Sequence, residues 1–73
     1  MNATTAIEIA AKHAPTAAYP GSADLALDDA RKCLARGNER AAMHRAATSL
    51  RYSVGVFHAD YSAVVEAANA RTA

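Results

Sequence analysis

The chain has one cysteine, no tryptophan, two prolines and three glycines in 73 residues. A lone thiol, Cys33, cannot close an internal disulfide, which suits a reducing compartment and leaves the fold without covalent staples. Large apolar side chains are scarce as well: Leu, Ile, Val and Phe together fill 11 positions. A domain of this size buries only about 60% of its unfolded surface, so a core this thin invites support from a partner. No apolar run approaches the roughly 18 residues needed to cross a bilayer. No basic residue precedes Lys12 and no continuous apolar stretch stands ahead of it, so a secretion signal is not expected and the chain reads as cytoplasmic. Neither sign of charge dominates, with 8 Lys/Arg against 7 Asp/Glu and a net charge of +1, which speaks against a charge-driven disordered tail. The length excludes an enzyme with separate cofactor and substrate lobes, and residues 1–73 read as a single domain.

What the chain has in plenty is alanine, 21 of its 73 residues. Alanine has the highest helix propensity, and the spacing of the other apolar residues predicts an all-α domain: a short N-terminal helix, then an antiparallel helical hairpin with a long C-terminal helix. The first helix is expected over 6–14. Thr5 and Glu8 have the spacing of a capping box, in which each side chain satisfies an orphan amide of the first turn, and Pro15 stops the helix. Residues 15–22, with Pro20-Gly21 inside, read as a connecting loop.

The second helix is expected over 23–36, with Ser22 as N-cap and Asp28–Lys32 as an i,i+4 ion pair. Leu27, Ala30 and Leu34 form its buried stripe, flanked by Ala26 and Cys33. Gly37 suits the left-handed residue that closes a helix, and Asn38 suits the N-cap of the next one. A turn that short implies a hairpin.

From Glu39 onward there is no proline. Met43, Ala47, Leu50, Val54, Phe57, Tyr61, Val64 and Ala68 follow a 4-3-4-3-4-3-4 spacing, which keeps one seam facing one way for about seven turns. That regularity favours one helix of about 30 residues. Gly55 and Asp60 are the features that would instead split it, into a helix to Phe57 and another from Tyr61. A second apolar line, through Tyr52, Val56, Ala59, Ala63, Ala67 and Ala70, projects from a different side of the same helix. Tyr52, Val56, Ala59 and Ala63 are therefore the candidate protein interface, for a second copy or a larger protein. The plainer account of the alanines is a solvated helix face.

Catalytic, metal and cofactor chemistry is not expected. His13, Cys33, His44 and His58 have none of the short spacings that zinc sites use, and His44 and His58 lie too far apart along one helix to share an ion. Cys33 belongs to a buried helix flank, where thiols are inert. A pairing of Cys33 with His44 across the hairpin would still lack an orienting group and an oxyanion hole. Asp28 and Asp29 are adjacent and diverge on a helix, so they make no acid/base pair. Gly21, Gly37 and Gly55 are isolated and form no phosphate-binding loop.

Charge is distributed more tellingly than its sum. Arg31, Lys32, Arg36, Arg40, Arg45 and Arg51 stand against only Glu39 between Arg31 and Arg51. Arg40, His44, Arg51 and His58 fall on one stripe beside the main seam. Arg40, His44 and Arg51 are the candidates for a charged partner surface, meeting an acidic protein or, in the alternative reading, nucleic-acid phosphates. A pI near 8.0 lies below that of a basic binding domain, and a solvated flank would look the same.

Ala30, Leu34, Gly37, Asn38, Ala42 and Ser49 fall roughly where a tetratricopeptide unit places its small or apolar residues and its turn, so the hairpin resembles one such unit. Asp29 stands where that family has leucine and Ala46 where it has an aromatic. A single copy also lacks the neighbours on which such repeats stack, and no functional residue is carried over. The expectation from sequence is thus a small accessory, regulatory or inhibitor protein: a non-enzymatic protein-interaction module that works as a homodimer. The alternative is a nucleic-acid binder using the Arg31–Arg51 segment.

Overall fold

A computed structural model describes residues 1–71. Four helices follow one another: α1 (Ala3–His13), α2 (Pro20–Ala35), α3 (Glu39–Ser53) and α4 (Ala59–Ala70), with a single 3-10 turn, Ala14–Thr16, after α1. The all-α class expected from the alanine content is what the described residues show, with no strand among them.

Each helix boundary has a local cause. α1 starts three residues ahead of expectation because Asn2, not Thr5, is the cap. The Asn2 side chain accepts from the Thr5 backbone N–H at 2.9 Å, so Thr5 lies inside the first turn as the residue being capped. Pro15 sits within the 3-10 turn, where its missing N–H costs nothing, and the α-helix gives way just before it. α2 likewise starts early, at Pro20, because proline's fixed φ suits the first helical position. Ser22 is therefore within α2 rather than its cap. Gly37 takes φ +79. Its N–H donates to Leu34 O at 2.9 Å and the Asn38 N–H donates to Cys33 O at 3.0 Å, the paired bonds that close a helix on a left-handed residue. Asn38 then caps α3 by accepting from Ala41 N–H at 3.1 Å. Gly37 thus ends α2 and Asn38 starts α3, as the sequence implied.

The long closing helix does not form. α3 ends at Ser53, and Gly55 takes φ +89 while its N–H donates to Leu50 O at 3.2 Å. That conformation is unfavourable for any residue with a Cβ and cannot continue a right-handed helix. The chain re-enters a helix at Ala59, where His58 serves as N-cap through Nδ1, which accepts from the Asp60 N–H at 3.0 Å. Both versions weighed from sequence need correcting. The break is real, and it lies over 54–58 rather than between Phe57 and Tyr61, with His58 rather than Asp60 as the cap.

α3 is the centre of the molecule, packing against α1, α2 and α4, whereas α4 packs chiefly on α3. Interactions at Cys33–Asn38, Ala23–Ser49 and Tyr19–Tyr52 show that α2 and α3 run in opposite directions alongside each other. The core contains Ile7, Leu27, Cys33, Met43, Leu50 and Val64 among eleven buried alanines, and Met43, Leu50 and Val64 are its largest fully buried apolar side chains. Most of the side chains at the helix contacts are therefore single methyl groups. The starts of α1 and α3 and the residue after α4 meet at one carboxylate. Glu39 Oε1 accepts from the Ala3 N–H at 3.2 Å and pairs with Arg71 Nη2 at 2.7 Å.

Two buried serines in α3 make a useful contrast. Ser49 Oγ donates to Ala23 O at 2.8 Å, tying α3 to α2. Ser53 Oγ is buried and has no hydrogen-bond partner among the described residues. Ser49→Ala is expected to lower stability by about 1 kcal/mol, whereas Ser53→Ala leaves it unchanged or raises it, because it removes an unsatisfied polar atom. Urea denaturation midpoints of the two variants would show this difference in sign.

Candidate functional site

Splitting the last helix rearranges the surface around it. Val54, Phe57 and Tyr61 were expected to continue the buried seam. The structure instead puts the chain's single phenylalanine, Phe57, at 99% exposure on the turn between α3 and α4, beside Val56 at 43%. Val54 and Tyr61 are half-buried, and the seam resumes its burial only at Val64 and Ala68. The signal that could have found this is Gly55, two residues ahead of Phe57. Once it takes a left-handed conformation, the helical register that assigned Phe57 to the core no longer applies.

Of the four residues proposed for an apolar interface, all are exposed: Tyr52, Val56, Ala59 and Ala63. Tyr52 belongs to α3, Val56 to the turn, and Ala59 and Ala63 to α4, so they form no line on one helix. Tyr52 has a neighbour that the sequence did not suggest. The connection between α1 and α2 runs alongside the end of α3, where Ala18 N–H donates to Ser53 O and Tyr19 N–H to Tyr52 O. The Tyr19 ring stands edge-on to the Tyr52 ring, with centroids 6.4 Å apart. Tyr52 remains 37% exposed and Tyr19 is well exposed. Leu25, also exposed, lies with Ala26, Thr48 and Tyr52 along a shallow groove of about 190 Å³ between α2 and α3.

The basic residues occupy a different part of the surface. Arg40 and His44 line a shallow concavity of about 460 Å³ together with Asn38, Ala41 and Arg45. Arg51, expected to share this surface, is not among its lining residues, and Arg45 is there instead. Lys32 is partly neutralised within its own helix. It pairs with Asp28 at 3.0 Å, and that hydrogen bond holds its ammonium above the usual lysine range. Cys33 is buried in the core, where its Sγ accepts from Arg36 Nη2 at 3.4 Å.

A third cluster was not legible in the sequence. His13, the last residue of α1, reaches Asp60 in the first turn of α4, with Nε2 and Oδ2 2.7 Å apart. An ionised carboxylate only accepts, so Nε2 of His13 carries the hydrogen. Lys12 Nζ lies 3.6 Å from the same oxygen. The His13 hydrogen bond, aided by the charges of Lys12 and His58, holds the Asp60 carboxyl below its ordinary range. A lowered carboxyl pKa contributes stability at neutral pH, and the contribution is lost as pH falls through that lowered value. His58 packs edge-on against His13, with ring centroids 5.1 Å apart. The potential ligand atoms of His13, His58 and Asp60 all lie within 4.8 Å of one another. His13 lies 47 residues before Asp60, and only the fold makes it a neighbour of His58 and Asp60.

No helix among the described residues is long and apolar enough to cross a membrane. Comparison with known proteins finds no family model, no curated protein and no solved structure that matches the chain.

Proposed function

We propose that the chain is a non-enzymatic protein-interaction module that acts as a homodimer, with the turn carrying Val56 and Phe57 at the centre of the contact. The observation that carries this reading is the full exposure of Phe57 on a turn fixed by Gly55 and the His58 cap. Burying an aromatic side chain that now stands in water is worth about 1.5–3 kcal/mol, and two copies would each contribute one. A net charge of +1 sets up little repulsion between identical partners. Tyr52, Ala59 and Ala63 extend the exposed apolar surface on either side of the turn in sequence.

Light scattering at micromolar concentration is expected to give a mass near twice 7.6 kDa. Phe57→Asp is expected to return the mass to that of one chain with helical content unchanged, because nothing in the fold rests on this side chain. A clean monomer for the parent protein would reject the dimer, and a dimeric Phe57→Asp would reject the turn as its centre.

A second reading rests on the concavity lined by Arg40, His44 and Arg45. It offers two guanidinium groups to an acidic protein surface or to nucleic-acid phosphates, the latter being the alternative drawn from the Arg31–Arg51 segment. Binding of that kind weakens steeply with added salt, whereas contact through Phe57 tolerates it.

A further inference from the structure

The side chains of His13, His58 and Asp60 offer two imidazole nitrogens and a carboxylate oxygen within 4.8 Å of one another. We propose that they form a site for a divalent transition-metal ion of the zinc type, with water completing the coordination. The inference is independent of the dimer proposed above. Two imidazoles and one carboxylate suit zinc and its neighbours in the first transition row, whereas magnesium and calcium require oxygen donors. At zinc–ligand distances of about 2.0–2.2 Å, donor atoms around a tetrahedral ion lie roughly 3.3 Å apart. His13 Nε2 and Asp60 Oδ2, at 2.7 Å, need to open slightly, and no pair in the cluster, all within 4.8 Å, needs to close by more than about 1.5 Å.

The elements that carry these ligands are well placed to hold them. His13 ends α1, while His58 and Asp60 begin α4. Both helices pack on α3 and make little direct contact with each other. An ion here replaces the hydrogen shared by His13 and Asp60 and displaces the exposed Lys12 ammonium into water. It would clamp together two elements of a small fold that has no disulfide, the situation in which metal binding contributes most to folding.

Binding has a structural signature. In the metal-free chain His58 Nδ1 accepts the Asp60 backbone N–H. Coordination through Nδ1 removes that lone pair, and coordination through Nε2 places a hydrogen on Nδ1. Either way the Asp60 amide loses its acceptor, so its NMR resonance reports occupancy directly.

The test is calorimetric titration of the full chain with zinc chloride near pH 7.5, alongside amide spectra. One saturable site per chain is expected, with a large shift of the Asp60 amide and no comparable binding of magnesium. His13→Gln keeps a donor for Asp60, and His58→Asn keeps a helix cap, so both should retain the fold, as circular dichroism would show. Each is expected to weaken zinc binding by more than about tenfold, the scale of loss already seen on removing partners outside the ligand set. His44→Ala should leave binding unchanged. Absence of saturable binding, or binding that survives both His13→Gln and His58→Asn in folded protein, would overturn the proposal.

Discussion

Replacing Leu50 by alanine is expected to cost about 2–5 kcal/mol, enough to unfold a substantial share of the molecules at room temperature. Leu50 is fully buried in the central helix, among the largest side chains of a core made mostly of methyl groups. A domain of this length rarely has more than about 3–5 kcal/mol in total, so one deleted isobutyl group consumes most of the margin. The backbone around it cannot collapse to fill the gap without disturbing the end of α3, because the Leu50 carbonyl accepts from both Val54 and Gly55 N–H. The measurement is chemical denaturation followed by circular dichroism. A loss below about 1 kcal/mol would mean that the site relaxes far more than buried leucine sites usually do.

Enlarging the core is expected to fail too. A chain so poor in leucine invites the idea that adding one would stabilise it, yet Ala46→Leu should cost about 1–3 kcal/mol or more. Ala46 is completely buried on α3, with Ala42, Met43, Ser49 and Leu50 buried around it on the same helix. Three added carbons have no space unless α3 moves away from a neighbour, and that would strain contacts along its length. Ala35→Leu on the exposed last turn of α2 serves as the control and should leave the denaturation midpoint nearly unchanged. If Ala46→Leu raised the midpoint, the surroundings of Ala46 would have more room than its complete burial implies.

The sequence showed the fold class, the tight turn at Gly37-Asn38 and most of the buried faces, because each depends on residues within a few positions of one another. Leu27, Ala30, Met43, Leu50 and Val64 are buried as their spacing implied. The starts of α1 and α2 were misplaced where two capping signals competed. Asn2 prevailed over Thr5, and Pro20 over Ser22, in each case adding most of a turn to the helix. The division of the last helix was the larger miss. A heptad-like seam remains regular on paper whether or not the backbone stays helical, and the helix-interior cost of one glycine, about 1 kcal/mol, is small beside it. Propensity measures the cost of glycine inside a helix, whereas here glycine permits a left-handed residue that ends one. Phe57 moved from core to surface as a direct result. The grouping of His13 with His58 and Asp60 follows from α1 and α4 both lying against α3, which no local pattern encodes. The basic stripe kept Arg40 and His44 together at the concavity with Arg45 beside them, whereas Arg51 lies about 16 Å further along the same helix than Arg40, at 1.5 Å per residue, and is left out.

A core built from eleven alanines and six other apolar residues has an entropic consequence. An alanine has no rotamers to freeze, so burying it costs no side-chain order, whereas each leucine or methionine gives up an appreciable share of its motion. The modest gain from each buried methyl is therefore set against an equally modest loss. Such an interior has few alternative side-chain arrangements to choose among, and its uniqueness rests on where the helices begin and end. The small polar residues at those ends, Asn2, Asn38 and His58, thereby decide which single arrangement of the backbone the chain adopts.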